Sequence, residues 1–428
     1  MKIIEYNKIS RKKKLELLQR PAIDMTKAYQ VVQPILNDIK SNGLESVLKY
    51  SKKFDGFNSK KIKVTAKEFE NSEKLVSSRF KKAVKVASNN IKKFHKLQLP
   101  RNYSVETMAG IKCSREFRAI ESVGLYIPGG TAILPSTLMM LAIPAIIAGC
   151  KRLVVCSPPV TTLSNEILYV ARYLGIDEFY KVGGAQAIAL MAYGTKKIKK
   201  VDKIFGPGNQ YVAAAKALVS IDPNGCVIDM IAGPSEVLVI ADGSGNPKFI
   251  AADLLSQAEH GNDSQVIFCS TSKELADDVI KEIKIQTKQL TRKSFIEKSL
   301  EKSFVLIFNE IDEAINFSNS YAPEHLILNL RNAKSFIPKI KNAGSVFIGQ
   351  YSPESAGDYA SGTNHSLPTY GYAKSIGGVS VEQFMKGITF QELSKEGLEN
   401  ISNTVIELAK AEKLEAHANA VEIRLKND

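Results

Sequence analysis

The sequence predicts an α/β protein made of two parallel-sheet, incomplete Rossmann-like domains with helical N- and C-terminal extensions. Three observations carry that prediction. From Ala119 onward, short β-branched runs alternate with amphipathic stretches, as in βαβ units. The first hundred or so residues, and those after about Ser380, lack the alternation and read as mainly helical. Glycine clusters follow several expected strands, where a chain turns from strand to helix.

Taken in order, apolar residues at helical spacing predict helices near 26–42, 66–74 and 78–97. Strands are expected at Ser122–Ile127, Arg152–Cys156, Glu178–Val182 and Val201–Phe205, with helices near 163–174, 185–193 and 209–219 between them. The apolar run from Leu134 to Cys150 is interrupted by Pro135 and Pro144 and is short for a bilayer span. It reads as a buried helix pair or a helix and loop, and no membrane association is expected. A second α/β block has strands near Val237–Ala241, Gln265–Ser270, Phe304–Phe308, His325–Leu328 and Ser345–Ile348, and helices near 247–260, 273–284 and 333–340. From about Ser380 the chain reads as helical to its end, so soft boundaries fall near 120, 235 and 380.

A chain of 428 residues with 44% hydrophobic content can bury two or three substantial cores. Its net charge of +14 is unevenly spread: residues 1–120 hold 28 Lys/Arg against 11 Asp/Glu, and the rest hold 30 against 33. Basic runs such as Arg11 to Lys14 and Lys60 to Lys63 alternate with apolar residues and read as solvated helix faces. No zinc finger or RNP motif accompanies them, so no nucleic-acid partner is expected. The N-terminus has no apolar segment with a small-residue cleavage site. Five cysteines without a Cys-x-x-Cys pair suit a reduced, cytoplasmic protein.

The familiar nucleotide loops, G-x-G-x-x-G and the P-loop, are missing. Instead, Pro128-Gly-Gly130, Gly183-Gly-Ala-Gln186 and Gly206-Pro-Gly-Asn209 each follow an expected strand. Any one of them is explained by a tight β-to-α turn. Three in successive connections favour a ligand crevice, because glycine lets backbone amides approach a phosphate or ribose.

Four of the five histidines sit in short Gly-, Pro- or acid-rich segments, around His260, His325, His365 and His417. Each alone could be a hydrogen-bonded core residue. Together they offer imidazole and carboxylate, the donors that zinc selects. Gln257 and His260 lie three apart at an expected helix end that Gly261 can terminate, Asp358 lies in an expected loop, and His417 on a terminal helix. Glu324 and His325 precede an apolar strand, where two groups of different pKa could divide proton transfer. An exposed Glu beside a core His is the plainer alternative.

The segments Gly124-Leu-Tyr-Ile-Pro-Gly-Gly130, Gly206-Pro-Gly-Asn-Gln-Tyr-Val212, Ala232-Gly-Pro-Ser-Glu-Val237, Leu254-Leu-Ser-Gln-Ala-Glu-His-Gly261, Tyr321-Ala-Pro-Glu-His-Leu326, Ser355-Ala-Gly-Asp-Tyr-Ala-Ser-Gly-Thr-Asn-His365 and Glu415-Ala-His-Ala-Asn-Ala420 closely resemble the histidinol dehydrogenase family, in the same order from about residue 20 to 425. The resemblance implies NAD-dependent oxidation of L-histidinol to L-histidine through L-histidinaldehyde, with one zinc ion per subunit. It implies Gln257, His260, Asp358 and His417 as metal ligands, and Glu324 and His325 as catalytic groups. Ser235, Glu412 and His365, with the metal ligands and His325, fall at substrate positions; Tyr126, Gln186 and Asn209 fall at NAD positions.

It further implies a homodimer with shared sites, and a division into an N-terminal extension (1–21), a zinc and substrate domain (22–120 with 235–379), an NAD domain (121–234) and a C-terminal arm (380–428). Ile133 and Asn262 stand where the family pattern has proline, and Gly377-Gly378 where it has Ser-Gly. A relative acting on another amino alcohol, or a basic RNA-binding protein, are the competing readings. Ser235, Glu412 and His365 match the histidinol pattern and favour it over another amino alcohol, while an RNA-binding protein would show affinity that falls steeply with salt.

Overall fold

The computed structural model describes residues 1–20, 25–129, 134–159, 163–231 and 233–426. Gly130 and Ile133 of the first glycine turn, and Ala232, lie outside them. Fourteen strands are described: β1 (Lys2–Glu5), β2 (Tyr103–Met108), β3 (Ile111–Ala119), β4 (Ser122–Tyr126), β5 (Arg152–Ser157), β6 (Glu178–Lys181), β7 (Lys203–Phe205), β8 (Val227–Ile228), β9 (Glu236–Ala241), β10 (Gln265–Ser270), β11 (Phe304–Ile307), β12 (His325–Asn329), β13 (Ser345–Ile348) and β14 (Met385–Leu393).

Two all-parallel sheets form the body, as expected. The five-stranded one runs β6-β5-β4-β7-β8 and the six-stranded one β1-β11-β10-β9-β12-β13. Apart from β1, both follow the same winding: the first strand of each unit is central, the next two lie to one side and the last two to the other. That is the Rossmann order without its sixth strand. Both faces of each sheet are covered by helices, which is why the strands read as continuous apolar runs.

Several expectations needed correction. Residues 25–96 do not join the six-stranded sheet, as the expected grouping of 22–120 with 235–379 requires. Val32, Leu36, Ile39 and Val47 pack with Tyr126, Val154 and Ile188, while Val84, Ala87 and Ile91 pack with Val123 and Leu125, so these helices cover the five-stranded sheet. The N-terminal extension is not purely helical, because β1 adds to the edge of β11. The run from Leu134 to Cys150 holds one helix, Pro135–Ala148, with Pro144 inside it.

The regions read as helical at both ends also contribute strands: β2, β3 and β14 make a small antiparallel sheet in the order β14-β3-β2. Its period-two pattern, with Ile388 and Phe390 alternating with polar residues, is weak because much of the sheet is solvent-exposed. Helices Leu44–Asp55, Lys293–Glu301 and Ile311–Tyr321 are additional, and residues 333–339 form a 3₁₀ helix. After β14 the chain ends in two helices, Lys395–Ala411 and Glu415–Lys426, packed on each other. Among the described residues no helix is long and apolar enough to cross a membrane.

Candidate active site

One cavity of about 1480 Å³ collects residues from both sheets. Gly206 follows β7 at the carboxyl ends of the five-stranded sheet, beside β4, where the strand order reverses. A Cβ at Gly206, φ +123°, would lie 2.1 Å from the Tyr126 carbonyl oxygen, so only glycine lets the chain leave β7 this close to β4. Asn209 then caps helix Gln210–Ile221, accepting from the amides of Tyr211 and Val212 at 3.0 and 3.2 Å.

From the six-stranded sheet come the amino ends of β9 and β12, with Glu236 and His325 as their first residues. Their parallel register sets His325 against Val237, and Glu324 precedes it. The backbone N–H of Glu236 donates to Glu324 Oε2 at 2.8 Å, and the Glu236 carbonyl accepts from His325 Nδ1 at 3.2 Å. With Nδ1 carrying that proton, Nε2 is the acceptor whenever the ring is neutral. Nε2 is buried, lacks a partner and faces Asp358 Oδ1 across 3.6 Å. The pair is thus no exposed acid beside a core histidine: Glu324 and His325 are both buried.

Burial pushes the Glu324 carboxyl above its usual range, against the pull of His325. For His325, burial favours the neutral ring, but the charges of Glu354, Glu324 and Asp358 outweigh it and raise its pKa well above the ordinary value. His365 is locked in one tautomer: Nδ1 must donate to the Asp358 carbonyl at 2.9 Å, so Nε2 accepts from Thr137 Oγ1 at 3.1 Å.

The acidic cluster beside this pair suits a cation. Ligand atoms of His260, Glu354 and Asp358 lie within 4.8 Å of one another. Glu354 Oε2 and Asp358 Oδ1 are buried without hydrogen-bond partners, an unfavourable arrangement for carboxylates unless positive charge arrives. Burial drives Glu354 up to about 8, while Asp358 is held below its usual range, its burial outweighed by the nearby His325 ring that faces it across 3.6 Å. His260 lines the cavity two residues past the end of helix Pro247–Ala258, which stops two residues earlier than expected. Asp358 lies on a short helix, Glu354–Tyr359, and not in a loop.

Glu354 was missed by sequence reasoning, although the signal was present: an acid four residues before Asp358 shares its helix face. It also holds the Gln257 amide, whose nitrogen donates to Glu354 Oε1 at 2.6 Å while its oxygen accepts from Glu236 N and His325 Nδ1 at 3.2 Å.

Eight of the expected residues line the cavity: Asn209, Ser235, Gln257, His260, Glu324, His325, Asp358 and His365. Four do not. Tyr126 and Gln186 are buried beside it, with Tyr126 Oη accepting from Gly184 N at 3.1 Å and Gln186 Nε2 donating to Asp55 Oδ2 at 2.9 Å. Glu412 and His417 are exposed on the C-terminal helical segment, so a single chain does not bring them to the cavity.

Residues 18–425 match the family described as histidinol dehydrogenase. A histidinol dehydrogenase of Vibrio parahaemolyticus is 49% identical over 426 residues, 99% of this chain and 98% of that one. The corresponding protein of Bacteroides thetaiotaomicron is 48% identical over 427 residues, 99% of each chain. The crystal structure of histidinol dehydrogenase from Elizabethkingia anophelis superposes with a TM-score of 0.94 at 47% identity, covering 100% of this chain and 98% of that one.

Proposed function

This chain belongs to the histidinol dehydrogenase family, and from that premise we propose that it oxidises L-histidinol to L-histidine through L-histidinaldehyde, reducing two NAD⁺. The observation that carries the reading is one cavity that the buried Glu324 and His325 share with the Asn209 turn and with His260 and Asp358, two members of the metal-binding cluster completed by Glu354. Free cysteines fit work in the reducing cytoplasm.

His325 Nε2 accepts the hydroxyl proton of the alcohol as hydride leaves its carbon, giving the aldehyde. Glu324 then removes a proton from the water that adds to the aldehyde carbon, while His325 returns its proton to the carbonyl oxygen, completing the hydrate and leaving the ring neutral. His325 accepts a hydroxyl proton again as the second hydride leaves the hydrated aldehyde, giving the carboxylate. His365 and Ser235 line the substrate end of the cavity. Tyr126, Gln186 and Asn209 would hold NAD⁺, which when bound would supply the hydride acceptor for each oxidation. Gln257, His260, Asp358 and His417 would hold zinc, which when bound would supply positive charge to orient the substrate and neutralise the buried acids.

His417 and Glu412 reach this site from a second copy of the chain, in a homodimer with shared sites. Their exposure on the terminal helices supports that arrangement. The decisive experiment supplies purified protein with zinc, NAD⁺ and L-histidinol and counts the NADH formed. Two NADH per histidinol consumed are expected; no NADH would refute the reading.

A further inference from the structure

Arg20 is distant in sequence from every site residue, yet it meets the hydrogen bonds that hold the catalytic pair. Its side chain is 9% exposed and that of Glu236 is 3% exposed. Nε reaches Glu236 Oε1 at 3.0 Å and Nη2 reaches Oε2 at 2.9 Å, a planar two-point fork that lysine cannot reproduce. Nη2 also donates to the Ala322 carbonyl at 3.1 Å, and the guanidinium lies 3.6 Å from the centre of the Tyr321 ring.

Both contacts lead to the same place. Glu236 holds Glu324 through its N–H and His325 through its carbonyl. Ala322 has a left-handed φ of +54°, a costly conformation for alanine, and begins the turn that delivers Glu324 and His325 to the head of β12. Glu236 Oε1 also accepts from Tyr370 N at 2.9 Å, which ties down a further residue of the cavity lining. A buried ion pair adds little net stability, because desolvation offsets its attraction. Precise geometry is what this one supplies.

We propose that Arg20 is a positioning residue for the oxidation: through Glu236 and the Ala322 carbonyl it sets the Glu324 carboxylate and the His325 ring in place. The proposal rests on the reading of those two residues as the proton-transfer pair.

The test uses the zinc-loaded protein with NAD⁺ and L-histidinol. Arg20→Lys keeps the charge and loses the fork. Its kcat should fall about 100-fold with KM for histidinol changed by less than about threefold, at an unchanged melting temperature. In Arg20→Ala, millimolar guanidinium should restore part of the lost kcat, and none should be gained by the parent.

The double variant R20M/E236Q removes both charges and so avoids a lone buried ion. If it folds and remains slow, positioning is supported; if it folds and matches the parent, the pair is merely structural and the proposal is overturned. Should it fail to fold, Arg20→Lys decides, and a parental kcat there overturns the proposal. His325→Asn is measured alongside. If it retains the first hydride transfer, the proton-transfer reading fails. If it loses that transfer while the Arg20 variants keep it, only the positioning role fails.

Discussion

Lys216 and Asp229, each 2% exposed at the side chain, form a buried ion pair that grips Gly206 by both backbone polar groups. Lys216 Nζ donates to the Gly206 carbonyl at 2.8 Å, and Asp229 Oδ2 accepts from the Gly206 N–H at 2.8 Å. Asp229 and the Pro207–Asn209 turn both line the cavity, so the pair shapes the crevice assigned to NAD.

Lys216→Met should therefore cost about 3–5 kcal/mol of stability, because it strands a buried carboxylate. Denaturant unfolding measures this, and K216M/D229N should recover part of the loss. Both variants should bind NAD more weakly than the parent by calorimetry, since Gly206 loses its clamp.

Chelation of zinc should weaken histidinol binding by at least about tenfold, while NAD affinity changes by less than about twofold. The acids left behind, Glu354 and Asp358, cluster with His260, at the end of the cavity proposed for the substrate. Unchanged histidinol affinity after verified metal loss would refute the ligand assignment.

Glu324→Gln should slow aldehyde oxidation about 100-fold while sparing the first hydride transfer, whereas His325→Asn should slow both. Alcohol and aldehyde supplied in separate single-turnover reactions distinguish the steps. Equal losses in the two steps for Glu324→Gln would remove its role toward water.

An inactive His325→Asn chain mixed with an inactive His417→Asn chain should regain roughly a quarter of wild-type activity after random reassociation. Half of the dimers are then mixed, and each has one intact site of its two. No recovery in demonstrably mixed dimers would show that His417 serves its own chain.

Burial pushes the Asp253 carboxyl up to about 7, with no compensating partner. Its folded pKa thus lies above the unfolded value of about 3.9, so the folded chain favours the protonated form. Stability from this group is complete below pH about 4 and is lost as pH rises toward 7. In the metal-free protein, Asp253→Asn should be more stable than the parent at pH 8 by about 1–2 kcal/mol, and the gain should vanish near pH 4. Unfolding curves at the two pH values check the sign.

The sequence by itself determined the two parallel βαβ units, because strands buried on both faces are written as dense β-branched runs, and Gly206 and Asn209 announce the turn after β7. It also displayed the donors Gln257, His260, Asp358, Glu324 and His325 in recognisable motifs, and the structure brings all five to one cavity. Tertiary structure alone decided that helices 25–96 cover the five-stranded sheet, since an amphipathic stripe states that a face is buried and not what it faces. The amphipathic β2–β3–β14 sheet was hidden because much of it stays in solvent and half-buried alternation is a faint signal. Arg20 could not be read at all. An arginine among basic residues near the N-terminus looks like surface, and only the folded chain places it beneath Glu236, more than two hundred residues away, where the desolvated fork becomes specific.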